Sequence, residues 1–157
     1  MTFSFECDDW HFVGLDSHCP GEVHGTLGAD QLGWFAGLVQ SISGPIGIFM
    51  HHPPIPMNSP WMDRISLTDS SQMQQIVLDN PHIRFVSCGH VHHESAHKLG
   101  TADVFTTPST GLQFDPNGDE PAFADEPPGY RVFQFDGTDF QTEVRRLREN
   151  RFHPSDS

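Results

Sequence analysis

The stretch Ile46-Gly47-Ile48-Phe49-Met50-His51-His52-Pro53-Pro54 is a short apolar run that stops at paired histidines and prolines. Bounded by Pro45 and His51, the run predicts a strand buried on both faces, the kind found in a mainly parallel sheet. The same plan recurs at Ile83 to Cys88, followed by Gly89-His90-Val91-His92-His93. Between the two runs, Met73, Ile76 and Val77 fall on one face of a helix predicted over 69–79. Asp69 followed by Gln72 is a loose capping signal, and Asn80-Pro81 is a stop. Strand, helix, strand, with a histidine turn after each strand, reads as an α/β fold with imidazoles at the strand ends, where open sheets build their sites.

Working outward, Phe3 to Phe5 and His11 to Leu15 predict two strands joined by the acidic turn of Glu6, Asp8 and Asp9. Asp16 to Gly28 carries Pro20, Gly21, Gly25, His18 and His24 and reads as a long loop, a kind of segment that is often functional. Leu32, Trp34, Phe35, Leu38 and Val39 recur at helical spacing, so 30–39 predicts an amphipathic helix with an aromatic stripe facing the core. Pro53, Pro54, Pro56 and Pro60 predict a stiff, extended surface loop through Arg64. After the second histidine turn, Ser95 to Leu99 and Val104 to Thr107 predict strands around Gly100, followed by a polar turn at 106–111. The proline-rich, acidic stretch from Gln113 to Gly129 has no period and reads as a surface excursion. Tyr130 to Phe135 and Phe140 to Val144 predict a hairpin about Asp136-Gly137, and Arg145 to Ser157 a frayed tail.

The chain has 157 residues, enough for one domain with a real core. Its 8 Lys+Arg against 21 Asp+Glu give a formal charge of -13, which argues against a nucleic-acid polymer or an anionic membrane as partner. Cys7, Cys19 and Cys88 cannot all pair within the chain and form no zinc-knuckle or C-x-x-C spacing, so they read as reduced thiols of a cytoplasmic protein. No apolar run reaches the roughly 18 residues of a membrane span, and the first residues lack the basic and apolar regions of a signal peptide.

Imidazole suits zinc, iron, manganese or nickel. In extended backbone, residues two apart point the same way, so His90 and His92 can aim at one point while Val91 faces the opposite side. His51, in an H-x-P setting, adds a third nitrogen from the neighbouring strand end. His51, His90 and His92 are therefore the predicted metal ligands. His52, His93 and His97 read as hydrogen-bonded structural histidines, and His11, His18, His24, His82 and His153 as surface ones. Ser17 and Ser109 lack a nucleophile-elbow setting, no P-loop or dinucleotide-binding glycine motif occurs, and Cys88 in a buried strand reads as inert. A mononuclear zinc hydrolase is an alternative, with Asp16 or Glu94 as its general base.

The combination I-F-M-H-H-P-P-I-P-M at Ile48 to Met57, W-M-D-R-I-S-L at Trp61 to Leu67 and C-G-H-V-H at Cys88 to His92 resembles the calcineurin-like metallophosphoesterases. Among these it most resembles the bacterial class III cyclic-nucleotide phosphodiesterases that hydrolyse 3',5'-cyclic AMP. L-D-S-H-C-P-G-E at Leu15 to Glu22, T-P-S-T at Thr107 to Thr110 and the end of the chain through Gly129-Tyr130, Thr142-Glu143-Val144 and Arg151-Phe152 extend the resemblance over nearly all of the sequence.

The resemblance implies part of an α/β/β/α sandwich with mixed sheets, in which residues 1–157 form the C-terminal part of a single domain and the N-terminal strands and helices are missing. In the complete family enzyme, two divalent metals (iron, manganese or zinc) activate a water for attack on the cyclic phosphate, giving a 5'-nucleotide. That family uses D-x-H, G-D-x-x-D, G-N-H-[DE], H-x-P and G-H-x-H motifs, of which only the last two occur here. Carried over, His51 and His90 hold the second metal and His92 the first. The catalytic histidine of G-N-H has no counterpart, so no catalytic residue is assigned to this chain, and no substrate-binding residue is identified.

Two divalent ions about 3.5 Å apart repel by roughly 19 kcal/mol at an effective dielectric of about 20, which bridging oxygen anions must offset. Neutral imidazoles cannot do so. The expectation for the chain alone is at most one weakly held metal and impaired or absent turnover, or a non-catalytic binding remnant of the fold. Uncovered apolar faces imply self-association or pairing with the missing N-terminal part.

Overall fold

The computed structural model describes residues 2–150; the predicted tail beyond Asn150, with Arg151, Phe152 and His153, lies outside the described residues. A hairpin opens the fold, β1 (Phe3–Cys7) and β2 (Trp10–Leu15), turned at Asp8 with a φ of 51°. Helix α1 (Gly28–Ser41) follows the long loop and returns the chain to β3 (Ile46–Met50). A short helix α2 (Pro60–Asp63) and then α3 (Ser70–Asp79) lead to β4 (Ile83–Cys88), β5 (Ser95–Leu99) and β6 (Ala102–Thr106). Two further hairpins complete the described chain: β7 (Gln113–Asp115) with β8 (Ala122–Ala124), and β9 (Gly129–Asp136) with β10 (Asp139–Arg146).

The main sheet has six strands in the order β1-β2-β3-β4-β6-β5, with β2, β3, β4 and β6 mutually parallel and both edges antiparallel. One face is aliphatic. Val13, Ile46, Ile48, Val86 and Val104 pack there against Phe35 and Val39 of α1 and Met73 and Val77 of α3. The opposite face is aromatic, with Trp10, Phe12, Phe49, Phe85 and Phe105 covered by Phe133, Phe135 and Phe140 of the β9–β10 hairpin. The Trp10 indole N–H donates to the Gly137 carbonyl at 2.9 Å, tying the tip of that hairpin to the sheet. Gly47 is required by this layer, because a Cβ there would lie 2.4 Å from the Phe85 ring.

Three local expectations change. Residues 60–63 are helical, with Trp61 and Met62 only 4% and 2% exposed, because Pro60 starts a helix with its fixed φ as readily as it extends a loop. The aromatic stripe of α1 is split: Phe35 is fully buried and Trp34 is 40% exposed. The excursion after Gln113 contains the β7–β8 hairpin, and Gln113 itself is buried, its amide bonded to the carbonyls of Ser109 and Gly111 at 2.8 and 2.9 Å.

Candidate metal centre

Two parallel strands end side by side, Met50 opposite Cys88, so the turns that follow them meet. The Gly89 amide donates to the His51 carbonyl at 3.0 Å and closes the junction. His90 and His92 both have left-handed backbones, with φ of 66° and 47°. The extended alternation expected for H-x-H therefore does not apply here. Such a backbone costs a non-glycine residue about 1 kcal/mol or more and is held by its surroundings. Val91 is the anchor, 2% exposed and packed with Trp61 and Met62.

Among the described residues, nitrogens of His51, His52 and His90 lie within 4.8 Å of one another. They are not equivalent. The His52 Nε2–H donates to the Val23 carbonyl at 3.0 Å, and its Nδ1 accepts from the Ser17 hydroxyl at 2.8 Å. Both ring nitrogens are committed, which fits the structural role read for His52. In His90, Nε2–H donates to the Ile65 carbonyl at 2.9 Å, leaving Nδ1 as a lone pair 3.3 Å from His51 Nε2. A backbone carbonyl on the second nitrogen is the arrangement that fixes a metal-binding histidine's tautomer. His92 stands outside the three-residue group; its Nδ1 is buried and has no hydrogen-bond partner.

The electrostatics keep these rings neutral. Burial, reinforced by repulsion from His52 and then His51, pushes the His90 pKa down to about 4. His51 is lowered by burial and by His52 and His92, and burial lowers His52 and His92 as well. Neutral imidazole is the form that binds a cation. Burial alone drives the Cys88 thiol far above its usual range, so the inert reading of that thiol stands.

The histidines open into a hollow of about 520 Å³ that is also lined by Asp16, Ser17, His18 and Cys19 from the long loop. That loop is clasped in place. Gly25 exchanges backbone bonds with Ser66 and Thr68 at 3.2 and 2.9 Å, and a Cβ at Gly25 would lie 2.3 Å from the His52 ring. Asp16 shares the hollow with His51, whereas Glu94 lines a separate one beside His93 and Phe114. His93 bonds the Val91 carbonyl and His97 bonds Ser95, both as structural histidines. His82, read as a surface residue, is half-buried and donates to the Val39 carbonyl at 3.0 Å. The Ile65 and Val23 carbonyls that organise the site were missed because a backbone oxygen carries no residue-type signal, and the Ser17 hydroxyl because its partner His52 lies 35 residues away in sequence.

No family model matches the chain. It is 32% identical over 150 residues to the 3',5'-cyclic adenosine monophosphate phosphodiesterase CpdA of Escherichia coli strain K12, covering 94% of this chain and 54% of that protein. A 3',5'-cyclic-nucleotide phosphodiesterase of Nostoc is 31% identical over 147 residues, covering 92% of this chain and 55% of that one. The chain thus spans about half the length of these curated relatives. Its fold matches a dimetal phosphatase from Danio rerio with a TM-score of 0.60 at 15% identity, over 94% of this chain and 58% of that one. A purple acid phosphatase from yellow lupin matches with a TM-score of 0.65 at 11% identity, over 92% of this chain and 30% of that one.

Proposed function

We propose, from the premise that the chain belongs to the metallophosphoesterases, that it supplies the H-x-P and G-H-x-H part of a metal-dependent phosphodiesterase. The substrate of the complete protein is a 3',5'-cyclic nucleotide, cyclic AMP being the one its relatives' names support. His51, His90 and His92 are the metal ligands. The observation that carries the reading is the pair of imidazoles facing each other at 3.3 Å with His90 Nε2 held by a backbone carbonyl.

The residues present fit one divalent cation. His51 donates Nε2–H to His90 Nδ1 in the structure; a cation between them would be met by two lone pairs, with the His51 proton moved to Nδ1. His92 Nδ1 is a further unpartnered nitrogen, outside that group, and is the one the resemblance assigns to the other metal position. A divalent ion held there polarises phosphoryl oxygens and acidifies water. The three-residue group contains no carboxylate, so a second ion would need oxygen ligands from the part of the relatives that this chain does not match. This supports at most one weakly held ion in the chain alone, and little or no turnover. The exposed β1 edge, with Phe3 and Phe5 43% and 51% exposed, supports pairing with that remaining part or with a second copy. Three unpaired cysteines are in keeping with the cytoplasm.

The test is manganese binding by equilibrium dialysis, with hydrolysis of bis-p-nitrophenyl phosphate and cyclic AMP measured alongside. At most one ion per chain is expected, lost in His51→Ala and His90→Ala. Unchanged binding in both variants would overturn the ligand assignment, and two tightly held ions would overturn the one-metal reading.

A further inference from the structure

The segment after the polar turn does more than cross the surface. Phe114 of β7 lies stacked on the His92 imidazole, with centroids 4.3 Å apart and planes 4° from parallel. Its own backbone amide donates to the His92 carbonyl at 3.3 Å. The His92 Nδ1 is buried and has no hydrogen-bond partner. The segment is itself held from behind. Trp61 meets Phe114 edge-on at 5.3 Å and donates its indole N–H to the Asp115 carbonyl at 3.2 Å. On the other side Gln113 knots the 109–111 turn through its buried amide.

We propose that Phe114 positions His92: its ring sets the imidazole plane and its backbone amide holds the His92 carbonyl, so that the buried, unpartnered Nδ1 is the donor atom. This rests on the metal-centre reading above. It extends that reading by assigning to the aperiodic stretch a role in the site that none of its residue types advertises. Phe114 is a positioning residue and makes no bond to the ion.

The test uses zinc as probe and the full chain, with heteronuclear NMR of the histidine rings. Phe114→Leu is expected to weaken zinc binding about tenfold, the cost of losing an outer partner of a ligand, and to move the His92 ring resonances while leaving those of His97 in place. Phe114→Tyr keeps the stacked ring and is expected to restore both. In a His92→Ala background, Phe114→Leu is expected to change zinc affinity no further, although it still lowers the melting temperature. If Phe114→Leu unfolds the chain, Phe114→Met serves the same comparison. Zinc affinity that falls equally with and without His92 would overturn the proposal. So would unchanged zinc binding in Phe114→Leu where His92→Ala weakens it. If His92→Ala itself leaves zinc binding unaltered, the metal reading fails along with the proposal, a result distinguishable because Phe114 plays no part in it.

Discussion

His52 and His90 sit with ring centroids 4.2 Å apart, yet the groups on their second nitrogens give them different work. Ser17 and Val23 consume His52, whereas Ile65 frees one nitrogen of His90. Both are held below the usual histidine range, and this links stability to pH. The unfolded chain titrates near pH 6.5 and His90 in the fold near pH 4, so between those values the unfolded state binds more protons. The contribution is whole above pH 6.5 and is lost progressively as pH falls towards 4. For the chain held free of metal by a chelator, the urea midpoint is expected to drop between pH 7 and pH 5; equal midpoints would contradict it. At this scale the sequence was informative for His51, His90 and His52, whose spacing and neighbours are residue types. It was uninformative for the left-handed turn at 89–92, because backbone sign at a histidine leaves no mark in the pattern.

Among the elements, Asp69 shows how a correct signal can be attached to the wrong partner. It stands just before α3 in the position of a cap, but makes no side-chain cap bond to that helix. Its carboxylate instead accepts from the Leu27 and Gly28 amides at 2.9 and 2.8 Å and from the Thr26 hydroxyl at 3.1 Å, capping α1 across space. The start of one helix is thereby fastened to the start of another, and the loop that grips His52 is secured at its far end. Asp69→Asn is expected to cost about 1 kcal/mol, the value of a helix cap with its charge, measured by denaturant unfolding. A change below a few tenths of that would show the contact to be incidental. Regular elements with clear periods, β2, α1, β3, α3, β4 and the β9–β10 hairpin, were legible. The helical turn at Pro60 and the β7–β8 hairpin were not, because they are decided by burial of Trp61 and Gln113 in contacts between segments distant in sequence.

At the scale of the molecule, two differently built layers cover the sheet, aliphatic beneath the helices and aromatic beneath the last hairpin. The aromatic layer does not stop at the sheet's covered part. Phe5 leans on Phe12 with tilted rings at 5.3 Å and Phe3 stacks on Phe5 at 6.1 Å, carrying it onto an edge strand whose five residues are all exposed. An uncovered apolar edge is a pairing surface. Phe5→Lys is expected to shift the light-scattering mass at micromolar concentration towards a single chain, while a parent chain that is already monomeric would remove the reason for the change. The overall fold class was readable from the strand, helix, strand order and from the resemblance of its motifs. Which face stays open was not, since it depends on how many strands the hairpin covers.

The wall behind His92 also has an optical side. Trp61 touches Phe114, and Phe114 lies flat on the imidazole, so a single phenyl ring separates an indole from the nitrogen proposed above as a metal donor. The excited state of an indole responds to charge nearby. The molecule therefore carries, in its own sequence and without any label, a fluorophore whose emission is expected to change when zinc is added if His92 takes the ion, and to stay unchanged if it does not.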